Sequence, residues 1–106
     1  MIVLIPAYEP GDTLVDLVTS LRHCGQTVVV VDDGSGPEFQ PIFQRARALG
    51  CAVLSHLPNR GKGFALKRGF RHIALTYPGR DVVCADCDGQ HTLADIASVA
   101  DAVPVT

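Results

Sequence analysis

The strongest constraint on this sequence is that its apolar pattern changes period again and again along the chain. Ile2 to Ala7, Thr27 to Val31, Cys51 to His56 (Cys-Ala-Val-Leu-Ser-His) and Asp81 to Ala85 (Asp-Val-Val-Cys-Ala) are short apolar runs that end in turn residues. Such runs suit parallel strands covered on both faces better than the alternating pattern of half-exposed strands. Between them the period is helical. Leu14, Leu17, Val18 and Leu21 follow the i, i+3, i+4, i+7 spacing, with Asp12 or Thr13 available as N-cap and Gly25 as terminator. Phe39, Ile42, Phe43, Ala46 and Leu49 repeat the pattern before Gly50, as do Phe64, Ala65, Lys67, Arg68 and Phe70 to Leu75 before Tyr77-Pro78-Gly79. A fourth helix is expected from Thr92, with Asp95 in its first turn complementing the helix dipole.

The order β-α-β-α-β-α-β-α predicts an α/β fold, a Rossmann-like three-layer α/β/α arrangement of a parallel sheet with right-handed crossovers. A chain of 106 residues at 47% hydrophobic content has room for one core and therefore one domain. Nine basic against 11 acidic side chains leave a net charge of -2, which lacks the basic excess of a nucleic-acid binder. The apolar runs fall far short of the roughly 20 residues that cross a bilayer. Ile2-Val3-Leu4-Ile5-Pro6 follows Met1 with no basic leader, so a cytoplasmic location is expected. Cys24, Cys51, Cys84 and Cys87 are then expected as reduced thiols.

In an open α/β sheet, ligands bind beyond the carboxyl ends of the strands. Those ends carry Ile5-Pro6-Ala7-Tyr8-Glu9-Pro10, Val31-Asp32-Asp33-Gly34-Ser35-Gly36 and Asp86-Cys87-Asp88-Gly89-Gln90-His91. Glu9, Asp32, Asp33, Asp86 and Asp88 would gather at one rim, where carboxylates repel unless a cation or hydrogen-bond donors compensate them. A divalent ion is one such compensator. The i, i+2 spacing of Asp86 and Asp88 lets both point to one side, and hard oxygen ligands suit Mg²⁺ or Mn²⁺ rather than zinc. Read by itself, Asp88-Gly89 is equally a polar turn, and Asp32-Asp33-Gly34-Ser35 is ordinary turn chemistry. Asp33 is alternatively an acceptor for a base N–H or a ribose hydroxyl. Tyr8 offers either an aromatic face for a base or a cover for a helix end.

Asn59-Arg60-Gly61-Lys62-Gly63 opens the third helix, and its glycines and helix N-terminus favour an anion. The spacing is not that of a phosphate-binding P-loop, since Gly63 and Phe64 follow Lys62, and no Gly-x-Gly-x-x-Gly turn follows the first strand. Cys84-Ala85-Asp86-Cys87 supplies only two of the four ligands of a structural zinc, and strand alternation sends its two thiols to opposite faces. His23, His56 and His72 are expected at surface or cap positions, whereas His91 follows the Asp-x-Asp loop and is placed to orient it.

Taken jointly, Ile5-Pro6-Ala7-Tyr8, Val30-Val31-Asp32-Asp33-Gly34-Ser35, Asn59-Arg60-Gly61-Lys62-Gly63-Phe64-Ala65-Leu66 and Asp86-Cys87-Asp88-Gly89-Gln90-His91 resemble the family 2 glycosyltransferases. Their order and spacing also match. Within that family the sequence is most similar to the dolichyl- and polyprenyl-phosphate sugar transferases, from Met1 to about Asp101. The resemblance implies a GT-A fold whose N-terminal half binds a nucleotide-diphospho-sugar. It implies that Pro6, Ala7, Tyr8, Glu9 and Val31 form the nucleoside pocket, that Asp33 bonds the base, and that Lys62, Asp86, Cys87 and Asp88 complete the donor site. It also implies Mg²⁺ or Mn²⁺ held by Asp86, Asp88 and Gln90, and inverting transfer to a polyprenyl-phosphate or glycan acceptor at the membrane surface, as in cell-envelope glycan synthesis.

Two departures qualify the resemblance. Many family members carry Asn-Glu after the tyrosine, whereas Glu9-Pro10 follows Tyr8 here. Family members also continue through elements that supply the acceptor site and general base, and no residue of this sequence is assignable as that base. Residues 1–106 are therefore expected to be the donor-binding part of a truncated family 2 domain. The competing expectation is a non-catalytic nucleotide-binding or interaction module. In either case a bare sheet edge and uncovered apolar surface predict a homo-oligomer.

Overall fold

Ile2, Val3, Leu4 and Ile5 are consecutive and all fully buried, which requires a strand covered on both faces. The computed structural model describes residues 1–85 of the chain. In order these form β1 (Ile2–Ala7), α1 (Asp12–His23), β2 (Thr27–Asp33), a 3-10 turn (Pro37–Phe39), α2 (Gln40–Ala48), β3 (Ala52–His56), α3 (Lys62–Thr76) and β4 (Val82–Cys84). The sheet is parallel with strand order β3-β2-β1-β4. The expected α/β architecture with helices on both faces is therefore present.

Strand alternation divides the core in two. Val3, Ile5, Val28 and Val30 point to one face, where they pack with Leu14, Val18 and Leu21 of α1 and Phe43 and Ala46 of α2. Ile2, Leu4, Val29 and Val31 point to the other, against Ala65 and Ile73 of α3. Gly69 is what brings α3 close to the sheet: a Cβ there would overlap both methyls of Leu4.

The departures from sequence expectation are local. The N-cap of α1 is Gly11, whose carbonyl accepts from the Leu14 amide at 3.2 Å, so Asp12 and Thr13 lie inside the helix. Phe39 belongs to the 3-10 turn rather than to α2. The third helix starts at Lys62, and its buried stripe is Ala65, Gly69 and Ile73, leaving Phe64 and Leu75 exposed. The second strand runs two residues beyond Val31, because Asp32 and Asp33 still pair in register with Ser55 and His56 of β3. The expected helix from Thr92 and the loop Asp86 to His91 lie outside the described residues.

The topology fixes where a ligand can sit. The chain steps outward from β1 to β2 to β3, and α3 then carries it back across the sheet to β4 on the far side of β1. The strand order therefore reverses between β1 and β4, and ligands of open α/β sheets bind at the carboxyl ends of the strands beside such a reversal. Among the described residues no helix is long and apolar enough to cross a membrane.

Candidate functional site

Extending β2 through Asp33 brings two carboxylates to the rim on opposite faces of the sheet. By alternation Asp32 shares the face of Val30, and Asp33 shares the face of Val31 and α3. Both are almost wholly buried, Asp32 at 2% exposure and Asp33 at 3%, so each needs hydrogen-bond donors close by. The protein supplies them. Asp32 Oδ1 accepts from the Ser35 amide at 3.0 Å, and its Oδ2 accepts from Gln40 Nε2 at 3.2 Å. For Asp32 the hydrogen-bond donors that compensate a rim carboxylate are thus supplied by the chain itself. No cluster of three or more potential metal-ligating His, Cys, Asp or Glu side chains occurs among the described residues.

Asp33 has the denser surroundings. Its Oδ1 lies 2.6 Å from His56 Nε2 and accepts from the Arg60 amide at 2.8 Å, while Oδ2 accepts from Asn59 Nδ2 at 3.1 Å. Asn59 Nδ2 also donates to the Asp33 carbonyl at 2.9 Å. Burial pushes the Asp33 carboxyl up, but the Arg60 amide, His56 and the Gly61 amide together outweigh it and hold the group below its ordinary value. The anion-favouring entry to α3 expected from Asn59-Arg60-Gly61-Lys62 therefore has an internal anion: α3 has no side-chain cap of its own, and the Asp33 carboxylate takes the amides that lead into it. Gly34 permits this arrangement. At φ +76 it lies so close to the β3–α3 loop that a Cβ would come within 2.7 Å of Asn59 Cα.

His56 departs from its expected surface position. Its side chain is 12% exposed, pinned between Asp33 and Arg68, whose Nη1 donates to His56 Nδ1 at 2.9 Å and to the Ser55 carbonyl at 2.6 Å. Phe64 stands edge-on to the imidazole with ring centroids 5.1 Å apart, and the Arg60 guanidinium lies 5.3 Å from the Phe64 ring. The one sequence signal for His56 is its register opposite Asp33, which follows once β2 is extended.

The β1 end supplies the neighbouring wall. Tyr8 and Glu9 are exposed, Tyr8 by 51%, Pro6 is half-buried, and Ala7 and Val31 are buried in the two core layers. Glu9 adopts a left-handed φ of 47, and its amide donates to Ser35 Oγ at 2.8 Å, tying the β1–α1 loop to the loop after β2. The Glu9 carboxylate beside it raises the Tyr8 phenol above its ordinary value. Lys62 is exposed at the first position of α3. Beyond the ends of β2 and β3, a cavity of about 530 Å³ lies among Asp32, Gly36, Pro37, Gln40, Ser55, His56 and Leu57. Pro6, Ala7, Val31, Asp33 and Lys62 are thus carried on β1, β2 and α3, and Tyr8 and Glu9 on the β1–α1 loop, at this end of the sheet. Asp86, Cys87, Asp88 and Gln90 lie outside the described residues.

Comparison with known proteins agrees with this architecture. The uncharacterized protein MJ1222 of Methanocaldococcus jannaschii is 35% identical over 98 residues, which are 92% of this chain and 39% of that protein. The dolichyl-phosphate beta-glucosyltransferase of Saccharomyces cerevisiae is 28% identical, with 95% of this chain and 33% of that protein covered. The chain therefore spans between a third and two fifths of the length of these relatives. Residues 2–103, nearly the whole sequence, match a single family, and the chain belongs to glycosyl transferase family 2.

Proposed function

We propose that this chain forms the donor-binding part of a glycosyltransferase, holding a nucleotide-diphospho-sugar across the carboxyl ends of β1, β2 and β4. The observation that carries the reading is the convergence of the β1–α1 loop, the end of β2 and the entry to α3 at the carboxyl end of the sheet of a family 2 chain. In this reading Pro6, Ala7, Tyr8 and Glu9 form one wall of the nucleoside pocket with Val31 beneath. Asp33, ionised and acceptor-only, takes a base N–H, and Lys62 offers charge to the diphosphate. Asp86 and Asp88 with Gln90 are a set of hard oxygen donors that suits Mg²⁺ or Mn²⁺, with Cys87 between the two carboxylates in the sequence. Such an ion, when bound, neutralises charge on the departing nucleoside diphosphate. The named activity of the yeast relative favours a polyprenyl-phosphate acceptor over a soluble glycan.

A thermal-shift panel of uridine, guanosine, adenosine and cytidine diphosphates with Mn²⁺ tests the reading. One of them is expected to raise the melting temperature, and Asp88→Ala is expected to abolish the rise. The absence of a shift with every nucleotide overturns the proposal.

A further inference from the structure

Asp33 and His56 are cross-strand neighbours in the parallel pair β2–β3, and their side chains meet on the α3 side of the sheet at 2.6 Å. The partner on the other ring nitrogen decides the chemistry of that contact. Arg68 is a donor without acceptor capacity, and its Nη1 lies 2.9 Å from His56 Nδ1. His56 Nδ1 must therefore carry a lone pair, and the ring proton resides on Nε2, where it is donated to Asp33 Oδ1. Arg68 is itself held by the Ser55 carbonyl at 2.6 Å, and the Phe64 ring standing at 80° to the imidazole limits rotation of the ring.

We propose that His56, locked by Arg68 as the Nε2–H tautomer, is the positioning residue for Asp33. Oδ1 is taken by His56 and the Arg60 amide and Oδ2 by Asn59, and the Gly61 amide also donates to the carboxylate, so the chain itself fixes its orientation. His56 thereby sets the orientation in which Asp33 meets a ligand N–H. That consequence rests on the assignment of Asp33 to the nucleoside pocket, whereas the tautomer lock does not.

The experiment has two arms on the 106-residue chain. Long-range ¹H–¹⁵N spectra of the histidine rings are expected to show His56 as the neutral Nε2–H tautomer at neutral pH, and Arg68→Ala is expected to release it into a tautomer mixture. A His56 ring protonated on Nδ1 in the unaltered chain overturns the proposal. In the same arm, the carboxyl ¹³C titration of Asp33 is expected to move upward in His56→Ala and to return toward its original position in His56→Gln, whose amide can donate to Asp33 and accept from Arg68. An Asp33 titration unmoved in both variants also overturns it. If His56→Ala does not fold, His56→Gln and Arg68→Ala carry the same comparison.

The second arm measures affinity for uridine and guanosine diphosphates with Mn²⁺. His56→Ala is expected to weaken whichever of them binds by about tenfold or more, the effect of one hydrogen bond to a charged group, with recovery in His56→Gln. Equal affinity in His56→Ala and the unaltered chain overturns the positioning role. If neither nucleotide binds the unaltered chain, it is the donor-site reading that fails, and the spectroscopic arm still decides whether His56 positions Asp33.

Discussion

The amide of Glu9 and the hydroxyl of Ser35 meet at 2.8 Å across 26 residues of sequence, and this bond joins the loops that follow β1 and β2. Ser35 is itself fixed, because its own amide is donated to Asp32 Oδ1 at 3.0 Å. A chain of hydrogen bonds thus runs from the buried end of β2 to the exposed Tyr8-Glu9 turn, and the shape of the rim depends on each member.

Replacing Ser35 by Ala leaves the Glu9 amide without its acceptor while barely changing volume. The expected loss of stability is about 1 kcal/mol, the range for one partly buried hydrogen bond. Urea denaturation of Ser35→Ala against the unaltered chain checks this, and Ser35→Thr, which keeps the hydroxyl, is expected to lose less.

Glu9 holds a left-handed φ of 47, a region that costs most side chains energy and that Asn tolerates. The residue that many family members carry after the tyrosine is thus the one this backbone favours. Glu9→Asn is expected to stabilise the chain by about 0.5 kcal/mol. It also removes the carboxylate that raises the Tyr8 phenol, so the ultraviolet titration of Tyr8 is expected to move to lower pH. A titration that stays in place or moves up contradicts the electrostatic assignment.

The strands and their order follow from sequence because burial on both faces leaves an unmistakable run of Val and Ile. Element ends were less legible. Asp32 and Asp33 read as turn residues, since nothing local reveals that Ser55 and His56 will pair with them. Phe64 reads as a core residue by its spacing, yet Gly69 is the point where α3 meets β1, and Phe64 is left beside His56. For the candidate site, the motifs single out Asp33 but not its partners, because His56 reaches it through the β2–β3 register, and Asn59 and the Arg60 amide through the packing of the β3–α3 loop against Gly34.

Two glycines separate the site from the core. In Gly34→Ala the new methyl meets backbone atoms, 2.7 Å from Asn59 Cα and 2.8 Å from the Pro58 carbonyl carbon, at a φ of +76 that also disfavours it. The β3–α3 loop must shift, so a loss of about 2 kcal/mol is expected together with loss of nucleotide binding. In Gly69→Ala the obstacle is the end of the Leu4 side chain, which can move within the core. A loss of about 1 kcal/mol is expected there, with nucleotide affinity retained. Denaturation and binding measured on both variants check the separation.

Asp33 gives the chain a defined acid sensitivity. Its carboxyl titrates below the ordinary Asp value in the folded chain, so the ionised form is favoured by folding. The stabilisation is fully present above the unfolded value and disappears as the pH falls through the lower, folded value. Asp33→Asn is expected to be less stable at pH 7, with the gap narrowing below about pH 4 as both chains carry an uncharged group. Denaturation curves from pH 7 to pH 3 on both proteins check the sign. A gap that widens toward acid contradicts the assignment.

Cys24 and Cys51 provide a contrast in thiol reactivity within one protein. Cys51 is 7% exposed, and burial pushes its thiol up to about 11, with the nearby Arg22 charge opposing the shift. Cys24 is exposed at the C-terminal end of α1. Because the thiolate is the nucleophile, a thiol reagent at pH 8 is expected to label Cys24 rapidly and Cys51 only as fast as the fold opens. Adding urea below the unfolding midpoint should then accelerate Cys51 far more than Cys24, and similar rates for the two thiols in the native chain would show that the Arg22-side layer of the core is not closed over Cys51.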